Sequence, residues 1–150
     1  MQHQPRDPSF EARVRASFVR QRFMATLGAE LLAVRPGEVT IGFAFHEALT
    51  QQHGFLHAGA VTAVVDSACG YAALSLMEAG SGVLAVEFKV NLLAPAIGER
   101  FEAVGRVVRS ARTITVCAGE LIAVAGERRT VVAVMQGTMM AVKGREGIAD

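Results

Sequence analysis

Residues 58–77, AGAVTAVVDSACGYAALSLM, are small or apolar at nearly every position and carry one charged side chain, Asp66. Twenty residues without proline at this composition read as a helix, and a helix apolar nearly all round cannot lie on a surface. The rest of the chain has to enclose it. The run has the length of a membrane span, but a carboxylate at its centre would cost several kcal/mol in lipid, so a buried helix in a water-soluble protein is expected.

The flanking segments supply the enclosure. Pro5 and Pro8 mark residues 1–8 as an irregular tail. Ser9 is placed to cap a helix carrying Phe10, Val14 and Phe18 on one face, with Gly28 at its end. Arg35-Pro36-Gly37-Glu38 is a turn between two strands, and in the second Val39, Ile41, Phe43 and Phe45 alternate with Thr40, Gly42 and Ala44. After the break at Gly80-Ser81-Gly82, four strand-like stretches follow in series. In the first, Leu84, Val86, Phe88, Val90 and Leu92 share a face; the others are Glu99–Arg109, Thr113–Val124 and Thr130–Val142. Short connections favour antiparallel pairing. The expected fold is α+β, with a long central helix wrapped by a curved antiparallel sheet of five to six strands and an N-terminal helix in front. At 150 residues, with no repeat or linker, this is one domain spanning 1–150.

Net charge is +1, and no lysine- or arginine-rich block exists, which argues against a nucleic-acid surface. Mean hydropathy is +0.34, and apolar surface in surplus commonly goes into a subunit interface. Cys69 and Cys117 lie in apolar segments and read as reduced core residues of a cytoplasmic protein. The N-terminal MQHQPRDPSF has no apolar run behind its charges, so no secretory signal is expected.

Asp is a poor helix-interior residue, and burial raises its pKa. Either Thr62 or Ser67 satisfies Asp66 locally, or the carboxylate works. Nine residues earlier His57-Ala58-Gly59 begins the helix, whose unpaired first-turn N–H groups can receive an oxyanion. Asp66 lies roughly 12 Å further up the axis at 1.5 Å per residue, so one small group could meet both only across a dimer interface. His53 and His57 have four-residue spacing, but Gly54 puts them in a loop without further ligands, and no metal is expected. Cys69, among Ala68, Gly70 and Ala72, lacks a thiolate-stabilising setting.

The segment HGFLHAGAVTAVVDSACGYAAL, followed by VEFKVNLLAPAIGERFEAVGRVVRSARTITV, resembles the PaaI-like branch of the hotdog-fold acyl-CoA thioesterases. The resemblance runs from Gln51 to the last strand and is strongest at Gly54-Phe55-Leu56-His57-x-Gly59 and Asn91-Leu92-Leu93-x-Pro95. It implies a homodimer, often paired again into a tetramer, that hydrolyses acyl-CoA thioesters between subunits without a cofactor. It makes Asp66 the general base or nucleophile, Ala58 the backbone donor to the thioester carbonyl, and Gln51 the amide that holds water or substrate. Gln52, His53, Gly54, Phe55, His57, Gly59 and Ala85 fall in its substrate-binding positions. Ala58 stands where relatives have Gly, which would strain the backbone if φ were positive there. Ala85 stands where some have Ser or Thr. Arg106, Arg109 and Arg112 are candidates for the phosphates of coenzyme A, Arg109 and Arg112 foremost. The other readings are a non-hydrolytic acyl-CoA-binding module and a hotdog dehydratase or hydratase using His57 and Asp66.

Overall fold

The computed structural model describes residues 3–150, so the first two residues of the expected irregular tail lie outside it. Helix α1 (Phe10–Arg20) and the short α2 (Arg22–Thr26) precede the hairpin β1 (Glu30–Arg35) and β2 (Glu38–Ala44). A 3-10 turn at Glu47–Leu49 leads to the central helix α3 (Ala58–Leu74). Strands β3 (Gly82–Leu92), β4 (Arg100–Ser110), β5 (Ile114–Ala125) and β6 (Arg128–Val142) complete the chain. They form one six-stranded antiparallel sheet in the order β1-β2-β4-β5-β6-β3. This is the enclosure that the apolar run demands. Val61, Val64, Val65, Ala68, Cys69, Ala72, Ala73 and Leu74 of α3 are buried. Each Val or Leu so buried is worth about 1.5–3 kcal/mol.

Two glycines let the sheet meet the helix directly. A Cβ on Gly105 of β4 would overlap the Ala68 carbonyl group and come within 2.5 Å of Cys69 N. A Cβ on Gly119 of β5 would lie 2.6 Å from Val65 Cγ1 and 2.7 Å from Cys69 Sγ. The far end of α3 is closed by Arg13 of α1, whose guanidinium donates to the carbonyls of Leu74, Met77 and Glu78 at 3.2, 2.7 and 2.8 Å. Its Nε sits 3.0 Å from the carboxylate of Asp7, which is itself buried although it belongs to the non-helical N-terminal stretch.

Several local expectations are corrected. Ser9 does not cap α1 through its side chain, because both its N–H and its hydroxyl donate to Asp7 Oδ1. The expected single N-terminal helix is broken at Gln21, whose extended ψ of 92° starts α2. In β3 a bulge at Val86 shifts the alternation. Ala85 pairs with Met139 and Glu87 with Thr138, so Phe88, Val90 and Leu92 face the helix side with Val83 and Ala85, while Leu84 faces the other way opposite Met140. One inserted residue reverses the two-residue period downstream of it. The turn at 35–38 forms as read, with Gly37 at φ +76°. No helix among the described residues is long and apolar enough to cross a bilayer.

Candidate active site

The start of α3 is built by His57. Its backbone is extended, its carbonyl accepts from Ala60 N and Val61 N, and its ring Nδ1 accepts the Gly59 N–H at 2.8 Å. Gly59 has to lack a side chain for this, since a Cβ there would stand 2.9 Å from Nδ1. The first-turn amides of residues 59, 60 and 61 are therefore spoken for, and the Ala58 N–H finds no acceptor among the described residues. It lies exposed at the positive end of the helix, a ready donor to an oxyanion. No residue other than glycine has positive φ among the described residues, so the Ala58 methyl brings no backbone strain.

The preceding loop folds back on itself. Gln51 N donates to Phe55 O, Gly54 N donates to Gln51 O, and Gly54 takes φ +81°, which closes the turn. Inside it the Gln51 side-chain carbonyl accepts the His53 N–H, leaving the NH2 of Gln51 available. Gln51, Phe55 and Ala58 line one cavity of about 410 Å³ with Leu92, Leu93 and Pro95. Gln52, His53 and Gly54 are exposed on the turn and line neither this cavity nor that of Asp66.

Asp66 opens on a different cavity, of about 300 Å³, together with Ala85. Its Oδ1 is buried without a hydrogen-bond partner; neither Thr62 nor Ser67 bonds to it. Burial alone pushes its pKa up from the usual carboxylate value. Gly70 and Tyr71, one turn further up α3, share the walls of this cavity, and other walls come from elements that sequence spacing does not connect to Asp66: Ser17, Arg20 and Gln21 at the end of α1, and Asp150. Ser17 Oγ donates to Asp150 Oδ1 at 2.5 Å and Arg20 Nη2 donates to it at 2.9 Å, so the C-terminal segment is tied to α1 beside the carboxylate. Helical spacing accounts for Gly70 and Tyr71, and the sequence carried no signal for the meeting with α1 and Asp150. Ala72, Ala73 and Ser75 are wholly buried and line neither cavity.

Arg106 is held by Glu38 at 2.9 Å and Glu120 at 2.7 Å, whereas Arg109 and Arg112 are exposed and form no ion pair among the described residues. Burial pushes up both cysteine thiols, Cys69 further than Cys117, which leaves neither as a thiolate nucleophile. No group of three or more His, Cys, Asp or Glu that could hold a metal occurs among the described residues.

Comparison with known proteins agrees with this architecture. A crystal structure of a thioesterase family protein from Silicibacter pomeroyi is 51% identical, covers 90% of this chain and 99% of its own, and superposes with a TM-score of 0.89. The Escherichia coli PaaI protein of the phenylacetic acid degradation operon is 18% identical over 91% of this chain and 95% of its own and shares the fold at a TM-score of 0.82. A protein of Saccharolobus solfataricus with an unproven esterase designation is 34% identical over 90 residues, which is 60% of this chain and 59% of that protein. The chain thus spans less than two thirds of that relative's length. The thioesterase superfamily model matches residues 53–134, which include the helix start, Asp66 and most of the sheet. By that match and by its six-stranded sheet around one long helix, the chain belongs to the thioesterase superfamily, with the PaaI-like hotdog fold.

Proposed function

We propose that the protein hydrolyses acyl-CoA thioesters at two equivalent sites, each shared between two copies of the chain. One observation carries the reading. The Ala58 N–H and the Asp66 carboxylate of a single chain open on separate cavities, and β3 runs between those cavities along the sheet edge. Val83 and Ala85 at its start line the Asp66 cavity, and Leu92 at its end lines the Ala58 cavity. Among the described residues β3 is hydrogen-bonded only to β6, and it exposes Val86, Phe88 and Leu92, an edge suited to pairing. Two copies joined antiparallel through β3 set the start of one strand against the end of the other. Asp66 of one copy then faces Ala58 of its partner.

In that arrangement the thioester oxygen accepts a hydrogen bond from Ala58 N–H. Asp66 takes a proton from water while the water oxygen bonds to the carbonyl carbon. The tetrahedral oxyanion collapses, the carbon–sulfur bond breaks, and the coenzyme A thiolate leaves with the proton from Asp66. Attack by the carboxylate itself, through a mixed anhydride that water then cleaves, uses the same groups. The NH2 of Gln51 is placed to hold the water or the carbonyl. The strand register runs from Ala85 through Met139 and Thr115 to Ser110, so the end of β4 with Arg109 and the β4–β5 turn with Arg112 lie at the Asp66 end of the sheet. Both guanidiniums are free there to meet phosphate. Two buried free thiols fit work in the cytoplasm.

Release of free thiol from acyl-CoA tests the reading. Asp66→Asn is expected to lower kcat by roughly 10²–10⁴-fold while acyl-CoA binding persists. Tight binding without thiol release by the wild-type protein would establish a binding module instead, and water loss from a hydroxyacyl thioester would establish a dehydratase.

A further inference from the structure

Gly70 has none of the structural reasons that place glycine elsewhere in this chain. Its φ is not positive, it lies inside a helix rather than at a turn, and a Cβ added there would meet nothing within 4 Å. Gly105 and Gly119, by contrast, are required by close approach to α3. Only proline is worse than glycine within a helix, so Gly70 weakens α3 with no packing inside its own chain to offset it. It stands four residues past Asp66, hence on the same helix face and about 6 Å further along the axis. Both residues line the same cavity of about 300 Å³.

We propose that Gly70 is a specificity-determining residue that keeps open the acyl-binding space beyond Asp66. The inference rests on the thioester-hydrolase reading of that cavity and adds where the acyl group goes. It extends from the thioester at Asp66 along α3, over the bare backbone of Gly70, toward Tyr71 and the Ser17–Gln21 end of α1. A cavity of about 150 Å³ is enough for a benzene ring, so the space here has room for an acyl group of one ring with a short arm, or an aliphatic chain of similar bulk. Its walls are mixed, with Val83, Ala85 and Met139 beside Ser17, Arg20 and Asp150, so the far end of the acyl group also meets polar groups. Each carbon added to residue 70 shortens that space from within.

The experiment compares wild type, Gly70→Ala and Gly70→Leu with acetyl-, hexanoyl- and phenylacetyl-CoA. kcat/KM is measured for each, and dissociation constants for the same three compounds are measured in the Asp66→Asn background, where binding is read without turnover. Gly70→Ala is expected to raise Tm by about 2 °C, since it restores helix propensity without a clash. Gly70→Leu is expected to lower kcat/KM for hexanoyl- and phenylacetyl-CoA at least ~10-fold relative to acetyl-CoA, with binding changing in parallel, a discrimination in the range that hydrophobic pockets provide. Ratios unchanged from wild type in both turnover and binding overturn the proposal, as does a lower Tm for Gly70→Ala. Altered binding ratios without thiol release from any of the proteins would instead sink the hydrolase reading and leave the role of Gly70 standing.

Discussion

In the proposed mechanism Ala58 and Asp66 are ordinary residues that owe their roles to position. Ala58 is the first helical residue, after His57 with φ −65° and ψ 138°. That is a favourable backbone for a following proline, and proline is well accepted at the first position of a helix. Ala58→Pro thus deletes the one unclaimed first-turn N–H and leaves α3 intact. It is expected to lower kcat by roughly 10²–10³-fold with Tm within a few degrees of wild type. Thiol-release kinetics beside a thermal melt check both halves. Asp66 carries the opposite trade. Its pKa is raised in the folded protein, so the folded state binds the proton more tightly than the unfolded chain does. Stability therefore falls as pH rises from the ordinary value of 3.8 through the folded-state pKa, and the cost remains at neutral pH. Asp66→Asn is expected to melt at a higher temperature than wild type at pH 7, and the gap is expected to close as pH approaches 3.8. Melting curves across that range read it directly.

At the scale of elements, α3 and the sheet are joined by backbone contact at Gly105, which no rotamer change can relieve. Gly105→Ala is expected to destabilise the protein by about 3 kcal/mol, at the upper end of ordinary overpacking, and urea unfolding measures the loss. The elements themselves were legible in the sequence: the central helix from its unbroken apolar run, the strands from alternation between glycine and proline breaks. Their irregularities were not. The Val86 bulge reverses which residues of β3 face inward, and it exists because β6 offers one residue fewer over that span. The break at Gln21 has no proline or glycine to announce it. The ion pair of Arg13 with Asp7, 3.0 Å apart, joins the N-terminal stretch to a helix that also holds the end of α3, and local spacing contains no trace of it.

At the scale of the whole molecule, the separation of Ala58 from Asp66 makes a quantitative expectation about assembly. Asp66→Asn and Ala58→Pro chains are each expected to retain about 1% of activity or less alone. Unfolded together and refolded in equal amounts, they would form, in the proposed arrangement, mixed dimers in which one of the two shared sites has both groups intact. About one quarter of wild-type activity is expected to return if copies pair at random. A site contained within one chain would recover none, so the activity of the refolded mixture decides between them.

The pattern of apolar residues determined by itself that a long helix would be buried and that strands would wrap it, because a carboxylate-bearing oily helix is stable in neither lipid nor water. It also singled out Asp66 and the helix start, since a lone charge and a histidine-led helix terminus are unusual enough to be seen locally. Only the tertiary structure decided that these groups open on different cavities, that His57 claims the Gly59 amide and leaves that of Ala58, and that Gly70 lines the cavity of Asp66. Those outcomes depend on atoms brought together from distant parts of the chain, and sequence spacing along one element does not contain them.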